Sequence, residues 1–182
     1  LDINELEKRV KDVENSVAYI DTVMNDIIKE YSGDIDDLMM KISIDVLQVD
    51  YPAINTIERY FMELSNALYF TCEKVEKLGI YDSISKTKAQ ETYNNKYLSV
   101  TNPEKGKKPT VGETQALSEN ASIYDKTLND IYNRAYKVLK SKVQAAETMV
   151  STLSKVLSHR MQESQMTVNQ TERMILNEGN II

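Results

Sequence analysis

The chain has 182 residues, 41% of them hydrophobic, with 5 Gly, 3 Pro, no Trp and one Cys, and a formal net charge of −6. So few breakers beside abundant Lys, Glu, Asp, Leu, Ile, Met and Ala argue against a sheet-rich fold and for long helices. No run of about 18 apolar residues exists to span a bilayer, and a lone cysteine excludes an internal disulfide.

Residues 3–31 keep a three-four spacing of apolar side chains: Ile3, Leu6, Val10, Val13, Val17, Ile20, Met24, Ile27 and Tyr31. About four heptads of this kind form the seam of a coiled coil, because a period of seven holds one narrow stripe towards a partner helix. Leu6, Val10, Val13, Val17, Ile20, Met24 and Ile27 are therefore the expected oligomerisation surface, with self-assembly as the expected outcome. The helix is predicted to end at Ser32-Gly33. A short amphipathic piece over 34–47 follows, carrying Ile35, Leu38, Met39, Ile42 and Val46.

Asp50 is placed to cap the next helix, with Pro52 in its first turn, where a missing N–H costs little. That helix is predicted over 51–78, with Ile54, Ile57, Phe61, Leu64, Leu68, Cys72, Val75 and Leu78 on one side and Gly79 as its C-cap. A polar helical segment over 82–98 has Ile84, Tyr93, Tyr97 and Leu98 as its main apolar residues. Residues 99–112 mix Pro103, Gly106 and Pro109 with Lys105, Lys107 and Lys108, the signature of an exposed basic loop.

Thr110 and Glu113 have capping-box spacing for a long C-terminal helix. Its apolar stripe runs Leu117, Ala121, Tyr124, Leu128, Ile131, Ala135, Leu139, Val143, Ala146, Val150, Leu153, Leu157 and Met161. Near Lys140 the spacing slips from three-four to four-four, as in a stutter. A helix of roughly 50 residues would be about 75 Å long, so part of it is expected to pack on another subunit. The expected fold is all-α, an elongated helical bundle or coiled coil with a long C-terminal helix. It divides into an acidic arm (1–48), a helical core (49–163) and a tail (164–182).

Chemistry is sparse. His159 is the only histidine, which removes His-pair metal sites and the usual Ser-His or Cys-His nucleophile pairs. Cys72 follows an apolar stripe and reads as a core thiol. Asp34, Asp36 and Asp37 lack the further ligands and terminal Glu of a calcium loop and read as an acidic helix start. Gly106-Lys107-Lys108 lacks the leading glycine and preceding strand of a phosphate loop. No catalytic residue, metal or cofactor is expected, and the chain reads as non-enzymatic. The acidic amphipathic start lacks a signal peptide's apolar block, so a cytoplasmic protein is expected, without membrane contact. On that reading the triplets Asn120-Ala121-Ser122 and Asn169-Gln170-Thr171 are chance matches to a glycosylation acceptor.

Charge is unevenly spread. Residues 1–85 carry 18 acidic and 8 basic side chains, whereas 86–182 carry 10 acidic and 14 basic. Within 86–142 there are 11 Lys or Arg against 6 Asp or Glu. Lys86, Lys88 and Lys96 stand beside Tyr93 and Tyr97, with Lys105, Lys107 and Lys108 on the adjoining loop and Arg134, Lys137 and Lys140 on the long helix. Cations suit phosphates and aromatic faces suit unpaired bases, so this set is the candidate contact for single-stranded nucleic acid. The competing reading is a solvated lysine face with tyrosines packed inward.

The helix with Ile54, Ile57 and Tyr60 leads to a polar helix ending Thr92-Tyr-Asn-Asn-Lys-Tyr97. A charged loop follows, then a long helix with Leu139-Lys-Ser-Lys142 and Leu157-Ser-His-Arg160. Over residues 44–163 this order resembles the UvsY-type recombination mediators of T4-like bacteriophages. The resemblance implies an all-helical, phage-encoded oligomer that binds single-stranded DNA through the 86–108 region and assists a recombinase. The acidic arm and the overall acidity depart from that pattern. A second reading is a phage-encoded, anti-CRISPR-like inhibitor presenting Asp34, Asp36 and Asp37 to the basic groove of a host DNA-handling enzyme. A third is a purely structural coiled-coil assembly protein.

Overall fold

In the computed structural model the backbone is described for residues 3–101 and 109–178, and side chains for residues 17–101 and 109–171. Three helices account for almost all of it: α1 (Ile3–Ile42), α2 (Ile54–Thr101) and α3 (Val111–Glu178). A π-helical turn, Ser43–Leu47, closes α1. No strand occurs among the described residues, and the fold class is all-α with a long C-terminal helix.

The helices outrun the expected stops. α1 continues through Ser32-Gly33 because the next turns bury Ile35 and Ile42 almost completely, and because the Ser32 hydroxyl donates to Asp36 Oδ2 at 2.9 Å. α2 likewise passes through Gly79 and absorbs the segment predicted separately over 82–98. Gly79 is a packing glycine rather than a cap: a Cβ there would lie 3.0 Å from Tyr136 Cε2. Packing thus overrides the weak local preference of glycine against helix, about 1 kcal/mol.

The start of α2 also differs from expectation. The Ala53 carbonyl accepts the first helical N–H groups, from Thr56 at 3.0 Å and Ile57 at 3.2 Å, so Asp50 stands too early to cap. Pro52 precedes the helix; its carbonyl accepts a bond from Arg160 Nε at 3.3 Å. The capping box of α3 forms as predicted. The Thr110 N–H donates to Glu113 Oε2 at 2.8 Å, and the Glu113 N–H donates to Thr110 Oγ1 at 3.3 Å. The bond donated by the Thr110 N–H, then the one donated by its hydroxyl at 2.9 Å, holds the Glu113 carboxyl below its ordinary pKa. α3 is unbroken at Lys140 and remains helical across 164–178.

The chain forms two compact units. Residues Ser32–Thr71 and Lys142–Ile182 make one with an aliphatic core. Ile35, Ile42, Val46, Ile57, Tyr60, Leu64, Leu68, Ala146 and Leu153 are buried together, flanked by Leu38, Met39, Phe61, Val143, Val150 and Leu157. Each fully buried Ile or Leu is worth about 1.5–3 kcal/mol of transfer free energy. The Tyr60 hydroxyl donates to Asp45 Oδ2, and that bond, with burial, raises the phenol's pKa.

Residues Leu1–Tyr31 and Cys72–Ser141 make the other unit. Here α2 and α3 form an antiparallel hairpin whose register is set by Gly79 against Tyr136, Asp82 against Asn129 and Asn133, and Thr92 against Asp125. Tyr31 of α1 lies by Tyr81 and Tyr132, and burial is the main cause of its raised pKa. The expected apolar stripe fails in the outer part of α3. Leu117 and Tyr124 are 45% and 71% exposed and Ala121 is exposed, while Thr114, Ser118, Ser122 and Asp125 are buried instead. Their side chains are satisfied locally or across the hairpin, which makes burial inexpensive: Ser118 donates to the Thr114 carbonyl at 2.8 Å, Ser122 to the Glu119 carbonyl at 3.1 Å.

Candidate nucleic-acid interface

α2 places Lys86, Tyr93 and Tyr97 on one face, since positions i, i+7 and i+11 superpose along an α-helix. The two tyrosine rings lie nearly parallel, with centroids 6.2 Å apart and an interplanar angle of 22°. Both remain partly exposed, so neither is a core residue. The Lys126 ammonium of α3 stands 5.4 Å from the centroid of Tyr93 and joins the two arms of the hairpin at this face.

Lys126 was not among the residues singled out from composition. Its signal is positional: Lys126, Lys137 and Lys140 fall at i, i+11 and i+14, one row along α3. At 1.5 Å per residue that row is about 21 Å long. Lys140 covers Tyr136 at 5.7 Å from the ring centroid, repeating the arrangement at Tyr93. Lys86, Lys126, Lys137 and Lys140 are all exposed and have no carboxylate within ion-pair distance among the described residues.

Other predicted contacts fall elsewhere. Lys88 points to the opposite flank of α2, where its ammonium lies 3.4 Å from Asp125 Oδ1. The same carboxylate accepts the Thr92 hydroxyl at 2.7 Å. Lys96 and Arg134 are exposed about a quarter-turn from the two rows. Lys105, Lys107 and Lys108 lie outside the described residues.

Between the two arms of the hairpin runs a polar seam. Asn129 Nδ2 donates to the Asp82 carbonyl (2.9 Å), to Asp82 Oδ1 (3.0 Å) and to Ser85 Oγ (3.1 Å). Asn133 Nδ2 reaches both oxygens of the Asp82 carboxylate, at 3.2 and 3.1 Å. No side-chain nitrogen or oxygen buried among the described residues lacks a hydrogen-bond partner.

The other expected surfaces are placed as follows. The side chains of Leu6, Val10 and Val13 lie outside the described residues; Val17 is exposed, and Ile20, Met24 and Ile27 are half-buried. Asp34 and Asp37 are exposed, whereas Asp36 is held by Lys142 Nζ, 2.6 Å from its Oδ1. Cys72 is half-buried rather than a core thiol. His159 is on the surface, 3.6 Å from Glu163 Oε1. No described helix is long and apolar enough to cross a membrane. No protein-family profile, curated protein or solved structure matches the chain.

Proposed function

We propose that the face formed by Lys86, Tyr93, Tyr97, Lys126, Lys137 and Lys140 binds single-stranded DNA. The protein then acts as a non-enzymatic, oligomeric accessory to a recombinase or another DNA-handling protein. The observation that carries this reading is the tyrosine pair with Lys126 above it, continued by cations that no carboxylate neutralises. A row of ammonium groups without carboxylate partners tracks phosphates, and phenol rings stack on bases that a duplex keeps covered. The resemblance to UvsY-type mediators supports the same reading. The inhibitor reading is less well supported, because Lys142 already neutralises Asp36 within its own unit.

The test is fluorescence anisotropy with labelled oligo-dT at several salt concentrations. The triple change Lys126→Glu, Lys137→Glu and Lys140→Glu should abolish binding at physiological salt and flatten the slope of log K against log salt, each phosphate contact contributing about 0.7. Tyr97→Ala should cost about 1–3 kcal/mol with little change in that slope. Unaltered binding by the triple variant, or equal affinity for a duplex of the same length, overturns the proposal.

A further inference from the structure

A second surface lies in the unit with the aliphatic core. Five large apolar side chains within twelve residues are turned to solvent there: Met40, Ile44, Leu47, Val49 and Tyr51, from 44% exposed at Val49 to 73% at Tyr51. The π-helical turn Ser43–Leu47 sits in the middle of this stretch. Across it Ile42 and Val46 stay in the core, so Ile44 and Leu47 are directed outward. Met40 and Ile44, four residues apart, form the kind of ridge that packs into the groove of another helix.

Charge indicates what would cover it. Residues 32–51 hold five aspartates and one cation, Lys41, and the whole unit carries 11 acidic against 6 basic side chains. Asp36 is engaged by Lys142 and Asp45 by the Tyr60 hydroxyl. Asp37, one turn before Met40, and Asp50, between Val49 and Tyr51, are exposed and have no hydrogen-bond or ion-pair partner among the described residues. Arg160, the cation beside Tyr51, stacks on its ring at 5.2 Å and is already bonded to Glu163. Exposed apolar side chains interspersed in sequence with unpaired carboxylates complement a helix that presents lysine or arginine beside apolar residues.

We infer that Met40, Ile44, Leu47, Val49 and Tyr51, together with Asp37 and Asp50, form a docking surface for a basic amphipathic helix of another protein. This surface shares no residue with the proposed DNA face, so the two can fail independently.

The test is calorimetric titration of the full chain with a synthetic helix of about four turns, leucines at three-four spacing and lysines between. The same peptide with glutamate in place of lysine is the control. The lysine peptide is expected to bind and the glutamate peptide not. Ile44→Ser with Leu47→Ser should weaken binding about tenfold or more. Asp37→Asn with Asp50→Asn should weaken it less and reduce its salt dependence. All four side chains are exposed, so circular dichroism should show both variants folded. Equal affinity of the serine variant and the unaltered chain overturns the inference. So does a fall in solution mass on the Ile44→Ser and Leu47→Ser change, which would assign the face to a second copy of the chain.

Discussion

The same two helices, α2 and α3, run through regions built on opposite principles. Between Ile57 and Leu68 of α2, and between Ala146 and Leu153 of α3, buried positions are almost all aliphatic. Between Asp82 and Thr92, and between Thr114 and Asn133, most inward positions are Ser, Thr, Asp or Asn. Aliphatic burial is non-directional and supplies free energy in proportion to the area removed from water. Polar pairs add about 0.5–1.5 kcal/mol each but fix register, because a slipped hairpin would leave Asp82 and the two asparagines unmatched. The first region rests on aliphatic burial, and the second holds a defined register through its polar pairs, beside the buried Leu78 and Leu139.

The largest test of this contrast is in the aliphatic core. Leu64→Ala or Leu153→Ala should each cost about 2–5 kcal/mol in denaturant unfolding, since both side chains are fully buried. Ser118→Ala or Ser122→Ala should stay within about 1 kcal/mol of the unaltered chain, as helix propensity offsets the lost local bond. Similar costs at the four positions would erase the distinction.

A smaller effect is expected at the polar seam. Asp82→Ala removes both acceptors of Asn133 and one of those of Asn129, and should cost about 1–2 kcal/mol for these half-buried groups. A neutral outcome would mean that water replaces the carboxylate freely.

The smallest contrast separates two helical glycines. A Cβ at Gly33 would meet nothing within 4 Å, so Gly33→Ala should stabilise by about 0.5–1 kcal/mol. At Gly79 the same methyl would press on the Tyr136 ring, and Gly79→Ala should give no gain. Equal stabilisation at both would show that the ring yields.

The helical class was legible because composition and three-four spacing act over long windows. The start of α3 was legible too, from Thr110 and Glu113, but the ends expected at the glycines were not, since Gly33 and Gly79 punctuate only where tertiary contacts allow it, and the Tyr136 ring that meets Gly79 lies 57 residues away. The outer stripe of α3 misled for a related reason. Hydrophobicity ranks Leu117 and Tyr124 above Ser118 and Ser122, but the ranking omits the carbonyl one turn back that satisfies a buried hydroxyl. At the candidate site, Tyr93 and Tyr97 were readable as neighbours on one helix. The engagement of Lys88 by Asp125 and the approach of Lys126 to Tyr93 depend on hairpin register, which no local pattern encodes.

The most direct measurement is amide hydrogen exchange on the full chain with and without oligo-dT. In the free chain, residues 57–68 and 146–153 should exchange slowly, and residues 82–97 and 114–133 faster. Bound strand should add protection across 86–97 and 126–140 and leave the aliphatic core unchanged. Protection gained instead within 35–68, or a strand that binds without slowing exchange in the hairpin, would contradict the assignment of the DNA face.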